Sequence, residues 1–156
     1  MDGFLGDELT LMAWAQVPTA GVWGDAAARH IVSVAVDANN LVDIGRTTAN
    51  GTIGFNYKAG GTAEAQATGS LANLDFACYI ITASKSGDSV DYYIAGAASG
   101  SADTGLGTWV GDLSATGVMI GATNTTPDNP FSGTIGPVAL WNKALSATQM
   151  RLLSTV

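Results

Sequence analysis

Charged side chains are scarce in this chain, and the few that are present are scattered. They make up 12% of its 156 residues, against about 25% in an average soluble domain. The six basic residues never adjoin one another along the chain: Arg29, Arg46, Lys58, Lys85, Lys143 and Arg151. Nucleic acids and anionic membranes are bound by clustered Lys and Arg, so we expect neither as a partner. The low fraction of charged residues is compatible with an ordinary β surface rich in Thr, Ser, Asn and Gly, or with a surface covered by another protein.

Cysteine and long apolar runs are also nearly missing. Cys78 is the single cysteine, which excludes an internal disulfide, and its apolar neighbours predict a small buried side chain. The first ten residues carry Asp2, Asp7 and Glu8 and lack the basic start and apolar stretch of a secretion signal. No apolar segment approaches the ~20 residues of a membrane helix, so we expect no membrane insertion.

Paired carboxylates on one strand, which a retaining glycosidase needs, are missing as well. The only two glutamates, Glu8 and Glu64, fall in different strand-like runs. Asp43 and Asp91 lie in such runs without a second carboxylate two residues away. A serine or cysteine nucleophile would depend on His30, the one histidine, and no nucleophile motif accompanies it. We therefore expect that the chain is not an enzyme.

What the sequence does contain is a succession of short strand-like runs between turn residues, with 20 glycines in all. Glu8 to Gln16 alternates, and Phe76 to Ser84 is apolar on both parities, as a central strand covered on both faces would be. Thr62 to Thr68 alternates alanine with polar residues and reads as a thin edge strand. Asn50-Gly51 is a strong hairpin signal. No helix of crossover length separates the runs, which predicts antiparallel pairing.

One strand-like run changes parity midway. The apolar positions of Phe131 to Trp141 switch sides at Gly136-Pro137. One extra residue there would restore the inward face, and a bulge residue need not donate a hydrogen bond, which suits proline. The pattern predicts a β-bulge at this position.

The only helix that the sequence predicts is at the C-terminal end. Ser146 and Gln149 have the spacing of a capping box, and Leu145 and Met150 that of a hydrophobic staple. We expect a helix of about two turns, packed on the rest of the domain through Met150 and Leu153.

Several segments together resemble the laminin-G-like domains of the concanavalin A-like lectin/glucanase jelly rolls. They are Phe131 to Gln149 (FSGTIGPVALWNKALSATQ), Leu9 to Trp14 (LTLMAW), Asp91 to Gly96 (DYYIAG) and Ile120-Gly121. The likeness extends over residues 8 to 154, with Ala95 where the family has an aspartate. It implies an all-β fold, an antiparallel jelly-roll β-sandwich with one short C-terminal helix, in which residues 1–156 form a single domain.

The chain departs from this family at its start. The family has an N-terminal strand or two before the LTLMAW-like strand, and here Met1 stands only a few residues ahead of it. We expect that this strand is missing or is supplied by another chain, because an unpaired edge strand is a site of association.

Aromatic side chains are the main binding candidates. Trp14 and Trp141 fall on family core positions and are assigned to packing. Trp23 and Trp109 lie in glycine-flanked loops, where an exposed ring could stack on a sugar or anchor a protein interface. The same rings could instead fold back as a lid on the sandwich. Tyr93 is a third candidate for a ligand or interface contact.

Calcium is the one cofactor to consider, since laminin-G-like domains often bind it with rim carboxylates. Asp112 and Asp128 lie in rim-like loops and are weak candidate ligands. The alternative is that Asp and Asn simply form the turns there. No other cofactor is expected.

These observations leave two functions from different classes. The first hypothesis is a non-catalytic structural module docked in an assembly, such as a decoration or fibre-type protein of a virus (phage) particle. The fold usually works outside cells, yet this chain shows no secretion signal. A virus particle that is assembled in the cytoplasm and released later would reconcile the two. Its partners would be other proteins or copies of itself. The alternative is a lectin-like carbohydrate-binding module that recognises surface glycans. Either role would place the chain on a virion or at an extracellular surface, and a glycoside hydrolase is the least favoured reading.

Overall fold

The computed structural model describes residue 4 and residues 6–19, 27–46, 52–67, 75–124 and 128–155. Trp23 and the Asn50-Gly51 turn lie outside these ranges. Within them the chain forms ten strands and one α-helix, α1 (Ala147–Leu153). The strands are β1 (Glu8–Gln16), β2 (Arg29–Asp37), β3 (Asn40–Arg46), β4 (Ile53–Ala59), β5 (Thr62–Ala67), β6 (Ala77–Ser84), β7 (Ser89–Ile94), β8 (Ala97–Ala98), β9 (Val118–Ile120) and β10 (Thr134–Trp141).

The strands form two five-stranded sheets. The first sheet has the order β10-β1-β6-β7-β8 and the second has the order β5-β4-β3-β2-β9. All the pairings between these strands are antiparallel, including that of β3 with β4 on either side of Asn50-Gly51. The all-β sandwich is therefore confirmed, and within the described ranges it carries one short helix. No helix in the described ranges has the length and apolar character needed to cross a membrane.

Alternation along the strands builds the core between the sheets. Leu9, Leu11, Ala13 and Ala15 of β1 belong to it, as do Phe55 and its inward neighbours on β4. Strand β6 lies at the centre of the first sheet and is buried on both faces, as its apolar sequence predicts. Its second face, with Cys78 and Ile80, packs in a smaller cluster that also contains Met150 of α1.

The helix begins where the sequence predicts. The Ser146 side chain accepts a hydrogen bond from the Gln149 backbone N–H, and the Gln149 side chain accepts one from the Ser146 backbone N–H. Met150 is buried against the first sheet, and Leu145 and Leu153 pack on the same cluster. The capping box and the docking of the helix are confirmed.

Two bulges adjust which side chains face inward. Ala13 pairs with Val138 and Ala15 with Ile135, so Gly136 and Pro137 together oppose one residue of β1. This is the predicted bulge. A second register shift on β2, between His30 and Val32, allows Ile31 and Val32 to be buried in succession.

Candidate functional site

The ring of Trp109 lies inside the molecule. It is 3% exposed and contacts Tyr57 and Phe4, with ring centroids 6.1 and 6.3 Å away. Its backbone N–H donates to the Asp7 carboxylate over 2.7 Å, which fastens the loop to the start of β1. Of the two alternatives for this ring, the lid on the sandwich is the one observed, and the expectation of an exposed binding platform is corrected. Trp23 lies outside the described residues, so its role stays a prediction.

Tyr93 is also a packing residue. It points to the face of the first sheet that α1 covers, where it is 7% exposed in the cluster with Met12, Cys78 and Met150. A ligand could reach this ring only if the helix moved away. The expectation of a surface contact at Tyr93 is therefore corrected, because the helix that the sequence predicted is what covers it.

The two calcium candidates stand apart from any cluster of ligands. Asp128 is exposed, and its carboxylate accepts a hydrogen bond of 2.7 Å from the Asn124 side chain, as in an ordinary polar turn. Asp112 is exposed in the loop that follows Trp109. Across the described ranges, no three His, Cys, Asp or Glu side chains come together as metal ligands would. Calcium binding stays a prediction.

A polar recess lies instead on the outer face of the second sheet. It has a volume of about 120 Å³. Three neighbouring strands contribute polar side chains to its lining: His30 from β2, Asp43 from β3 and Asn56 from β4. The complete lining is Ala28, His30, Asp43, Gly45, Arg46, Gly54 and Asn56. We name this the polar recess.

One hydrogen bond and one charge contact hold the Asp43 carboxylate in the lining of the polar recess. Its Oδ1 accepts a hydrogen bond of 2.8 Å from Asn56 Nδ2 and lies 3.6 Å from His30 Nδ1. Both side chains of the His–Asp pair are mostly buried, with 16% and 10% of their surfaces exposed. Burial raises the pKa of Asp43 and outweighs the lowering by the His30 charge and by the Asn56 hydrogen bond.

Glycine keeps the recess open and lets the strands approach. Gly45 and Gly54 face each other across β3 and β4 and contribute no side chain. A Cβ atom on Gly45 would lie 2.5 Å from the backbone oxygen of Arg29, so a larger residue would push β2 away. Beside them, the Arg46 side chain is buried, and its guanidinium donates to the Ala27 backbone oxygen over 2.6 Å.

The recess lacks the arrangement of a glycosidase. Asp43 is the one carboxylate in its lining, whereas that reaction uses two. Glu8 and Glu64 belong to different sheets. Burial works to raise the pKa of Glu8, but hydrogen bonds from Ser86 and Ser84 hold it below its ordinary value, which suits a fixed structural anion.

Cys78 is equally far from any nucleophilic role. It is fully buried between the first sheet and α1, and burial raises its pKa to about 11. At neutral pH such a thiol stays protonated and unreactive. His30 lies on the other sheet, so the two residues do not form a pair.

A family profile decides the relationship to known proteins. The profile of the concanavalin A-like lectin/glucanases superfamily (Laminin_G_3) matches residues 2–151. The chain belongs to this family. A comparison with curated proteins finds no significant match.

Solved structures of similar fold include modules that bind sugars. One is the CBM40 of the Ruminococcus gnavus IT-sialidase bound to α2,3-sialyllactose, with TM-score 0.70 and 16% identity over 96% of this chain and 83% of the other. Another is domain 4 of a GH43 extracellular arabinanase from Geobacillus stearothermophilus in complex with arabinotriose, with TM-score 0.69 and 14% identity over 97% and 70%.

A third is the heptameric SAP-like pentraxin of Limulus polyphemus, with TM-score 0.68 and 13% identity over 96% and 70% of the two chains. At these identities the likeness establishes the jelly-roll fold of the superfamily and no more.

The polar recess was not predicted from the sequence. From the sequence, Asp43 is a candidate only as half of a carboxylate pair, and His30 only as the base for a serine or cysteine nucleophile. A signal exists in retrospect: polar Asp43 and Asn56 alternate with the buried apolar residues of β3 and β4. Only the strand register shows that these side chains meet.

Proposed function

We propose that this chain is a non-catalytic carbohydrate-binding module whose ligand occupies the polar recess. The observation that carries the proposal is the buried Asp43 carboxylate in the polar recess, which accepts a hydrogen bond from Asn56 and lies 3.6 Å from His30. A carboxylate accepts hydrogen bonds, an amide both accepts and donates, and an imidazole does one or both according to its protonation. Sugar hydroxyls donate and accept in the same way, so this set of groups suits them.

The recess is large enough for one edge of a single sugar unit. Its 120 Å³ corresponds to the space of a few water molecules, at about 30 Å³ each in the liquid. Hydroxyl groups that replace such waters gain affinity when they reproduce the hydrogen bonds of the waters. A whole oligosaccharide would extend beyond the recess onto the sheet.

The relatives support the same proposal. Two of the structural neighbours named above are sugar-binding modules of larger enzymes, in complex with sialyllactose and arabinotriose. None of the three is a component of a virus particle, so the decoration or fibre role stays a prediction without support from them. Assembly with other proteins stays a prediction as well, and it is compatible with glycan binding, because weak sites gain avidity on a repetitive surface.

The test is a glycan array followed by calorimetry on the glycans that bind. We expect Asp43→Asn and Asn56→Ala to weaken binding at least about tenfold, because a hydrogen bond to a charged group contributes about 1.5–3 kcal/mol. Asp91→Asn on β7 is the control, since it removes the same charge from the other sheet. The bound glycan is expected to remain uncleaved. Full binding by Asp43→Asn, or no glycan bound at all, would contradict the proposal.

A further inference from the structure

A second, larger recess lies on the same outer face of the second sheet. It has a volume of about 440 Å³ and is bordered by β2, β9 and the 3-10 turn 115–117. We name it the hydroxyl recess, because Ser114, Thr116 and Thr123 line it together with apolar side chains that include Ala35 and Met119. It contains no charged side chain.

The strand register places the two recesses in one line. Asn56 pairs with Asp43 across β4 and β3, and Asp43 pairs with Ser33 across β3 and β2. Ser33 in turn pairs with Met119 on β9. Directly paired residues of antiparallel strands project to the same face. The row therefore starts in the polar recess, crosses β2 at Ser33 and ends in the hydroxyl recess.

The length of this row exceeds one sugar ring. Adjacent strands lie about 4.8 Å apart, so Asp43 and Met119, two strands apart, are separated by about 10 Å. Ser33 between them has a small side chain that is 7% exposed, so a ligand that crosses β2 there would contact mainly the residues around it. A single unit in the polar recess leaves the hydroxyl recess empty, whereas a chain of several units reaches both.

The chemistry of the row favours an uncharged chain. The polar recess presents the Asp43 carboxylate, and the cation beside it, Arg46, is buried with its guanidinium on the Ala27 backbone oxygen. The chain as a whole carries a formal charge of −7, which repels anionic ligands. In the hydroxyl recess, hydroxyl groups beside apolar surface match the alternating polar and apolar faces of neutral sugars.

We infer that the ligand is an extended neutral oligosaccharide that crosses β2 over Ser33 and occupies both recesses. This inference rests on the proposed carbohydrate-binding function and narrows it to a ligand class. A module that binds a single terminal sugar, or an acidic sugar, would have a different ligand specificity.

The experiment measures affinity against chain length. The probes are arabinose, xylose, glucose and galactose with their oligosaccharides up to six units, together with lactose and 3′-sialyllactose, titrated by calorimetry. For the sugar that binds, we expect at least about a tenfold gain from one unit to six, and weaker binding of sialyllactose than of lactose. Thr116→Tyr, which fills the hydroxyl recess, should bring the ratio of long-chain to single-unit affinity close to one. Thr104→Tyr, at another exposed loop threonine, is the matched control and should keep the full ratio.

The outcomes separate the inference from the function on which it rests. No ligand among these probes and none on the glycan array overturns both. A ligand on the array with no binding of any neutral probe overturns the extended neutral ligand alone. Binding that does not grow with chain length, a preference for sialyllactose, or an unchanged ratio in Thr116→Tyr overturns the extended neutral ligand and leaves carbohydrate binding intact.

Discussion

The imidazole Nδ1 of His30 lies 3.6 Å from Oδ1 of Asp43, and both residues line the polar recess. The separation is longer than a hydrogen bond, so the attraction between the two groups depends on the charge that a protonated imidazole carries. Asp43 gains its one described hydrogen bond from Asn56 instead. A mostly buried carboxylate with this partial support costs folding free energy when it is ionised, and that cost should be measurable as a pH dependence of stability.

We expect Asp43 to make the domain less stable as the pH rises. Its pKa in the folded state is raised above the ordinary value of 3.8, so the folded protein binds more protons than the unfolded chain in the interval between the two values. The contribution is fully present below pH 3.8 and is lost as the pH rises through the folded pKa. Urea unfolding over a pH series should show a decline in wild type that is smaller in Asp43→Asn.

His30 provides a control for this pH dependence. Its charge lowers the pKa of Asp43, so His30→Gln should extend the decline to higher pH. Because Glu64 and other carboxylates titrate in both proteins, the quantity to compare is the difference between wild type and variant. An identical pH profile in wild type and Asp43→Asn would show that the carboxylate is not desolvated in the folded protein.

Trp109 should matter for stability and not for ligand binding. Trp109→Ala is expected to destabilise the domain by about 3–5 kcal/mol, because it empties the space against Tyr57 and Phe4. Trp109→Phe should destabilise the domain less, by about 1.5 kcal/mol or below, because phenylalanine still fills most of the space. It also removes the buried indole Nε1, which has no hydrogen-bond partner in the described part of the chain. Urea unfolding gives both values.

Calorimetry on the folded variants then checks the assignment of Trp109 as a lid. The glycan affinity of Trp109→Phe should equal that of wild type, because the polar recess draws none of its lining from this loop. A large loss of affinity with little loss of stability would restore the ring to the role of a sugar platform.

Local sequence patterns were sufficient where the decisive contacts are local. The capping box of Ser146 and Gln149 spans three residues, and the bulge at Gly136-Pro137 is marked by a parity change within one strand. The central position of β6 follows from its apolar residues on both faces. Each of these features depends on neighbours in the chain, so propensity and periodicity predict it.

The orientation of Trp109 and the polar recess depend on contacts between residues far apart in the chain, which the sequence alone does not predict. The loop around Trp109 reads the same whether the ring is exposed or buried, and Asp7, 102 residues earlier, fixes it inward. The polar recess depends on the register of three strands, which brings Asp43 and Asn56 together across 13 residues. No sequence motif specifies the register of these strands, so the sequence alone does not predict that the two side chains meet.

The turn at Ala95-Gly96 carries strain that a substitution should relieve. Both residues have positive φ, 47° and 79°, in the two-residue hairpin between β7 and β8. Alanine rarely adopts this conformation, whereas Asn-Gly is a preferred pair there. We expect Ala95→Asn to stabilise the domain by about 0.5–1 kcal/mol in urea unfolding. Ala102→Asn, in an exposed loop without positive φ, is the control and should have little effect.

The N-terminal end of α1 offers the most direct test of a sequence-derived feature. Ser146→Ala removes the side-chain acceptor of the Gln149 backbone N–H, a hydrogen bond of 3.4 Å, and leaves the Ser146 backbone N–H with its 2.9 Å bond to the Gln149 side chain. Loss of such a cap typically costs about 1 kcal/mol. Because α1 covers Met12, Trp14 and Cys78, the loss should appear in global unfolding and also speed thiol labelling of Cys78. Ser101→Ala, at an exposed loop serine, should change neither. Unfolding and labelling unaltered in Ser146→Ala would mean that Met150 and Leu153 hold the helix without help from its cap.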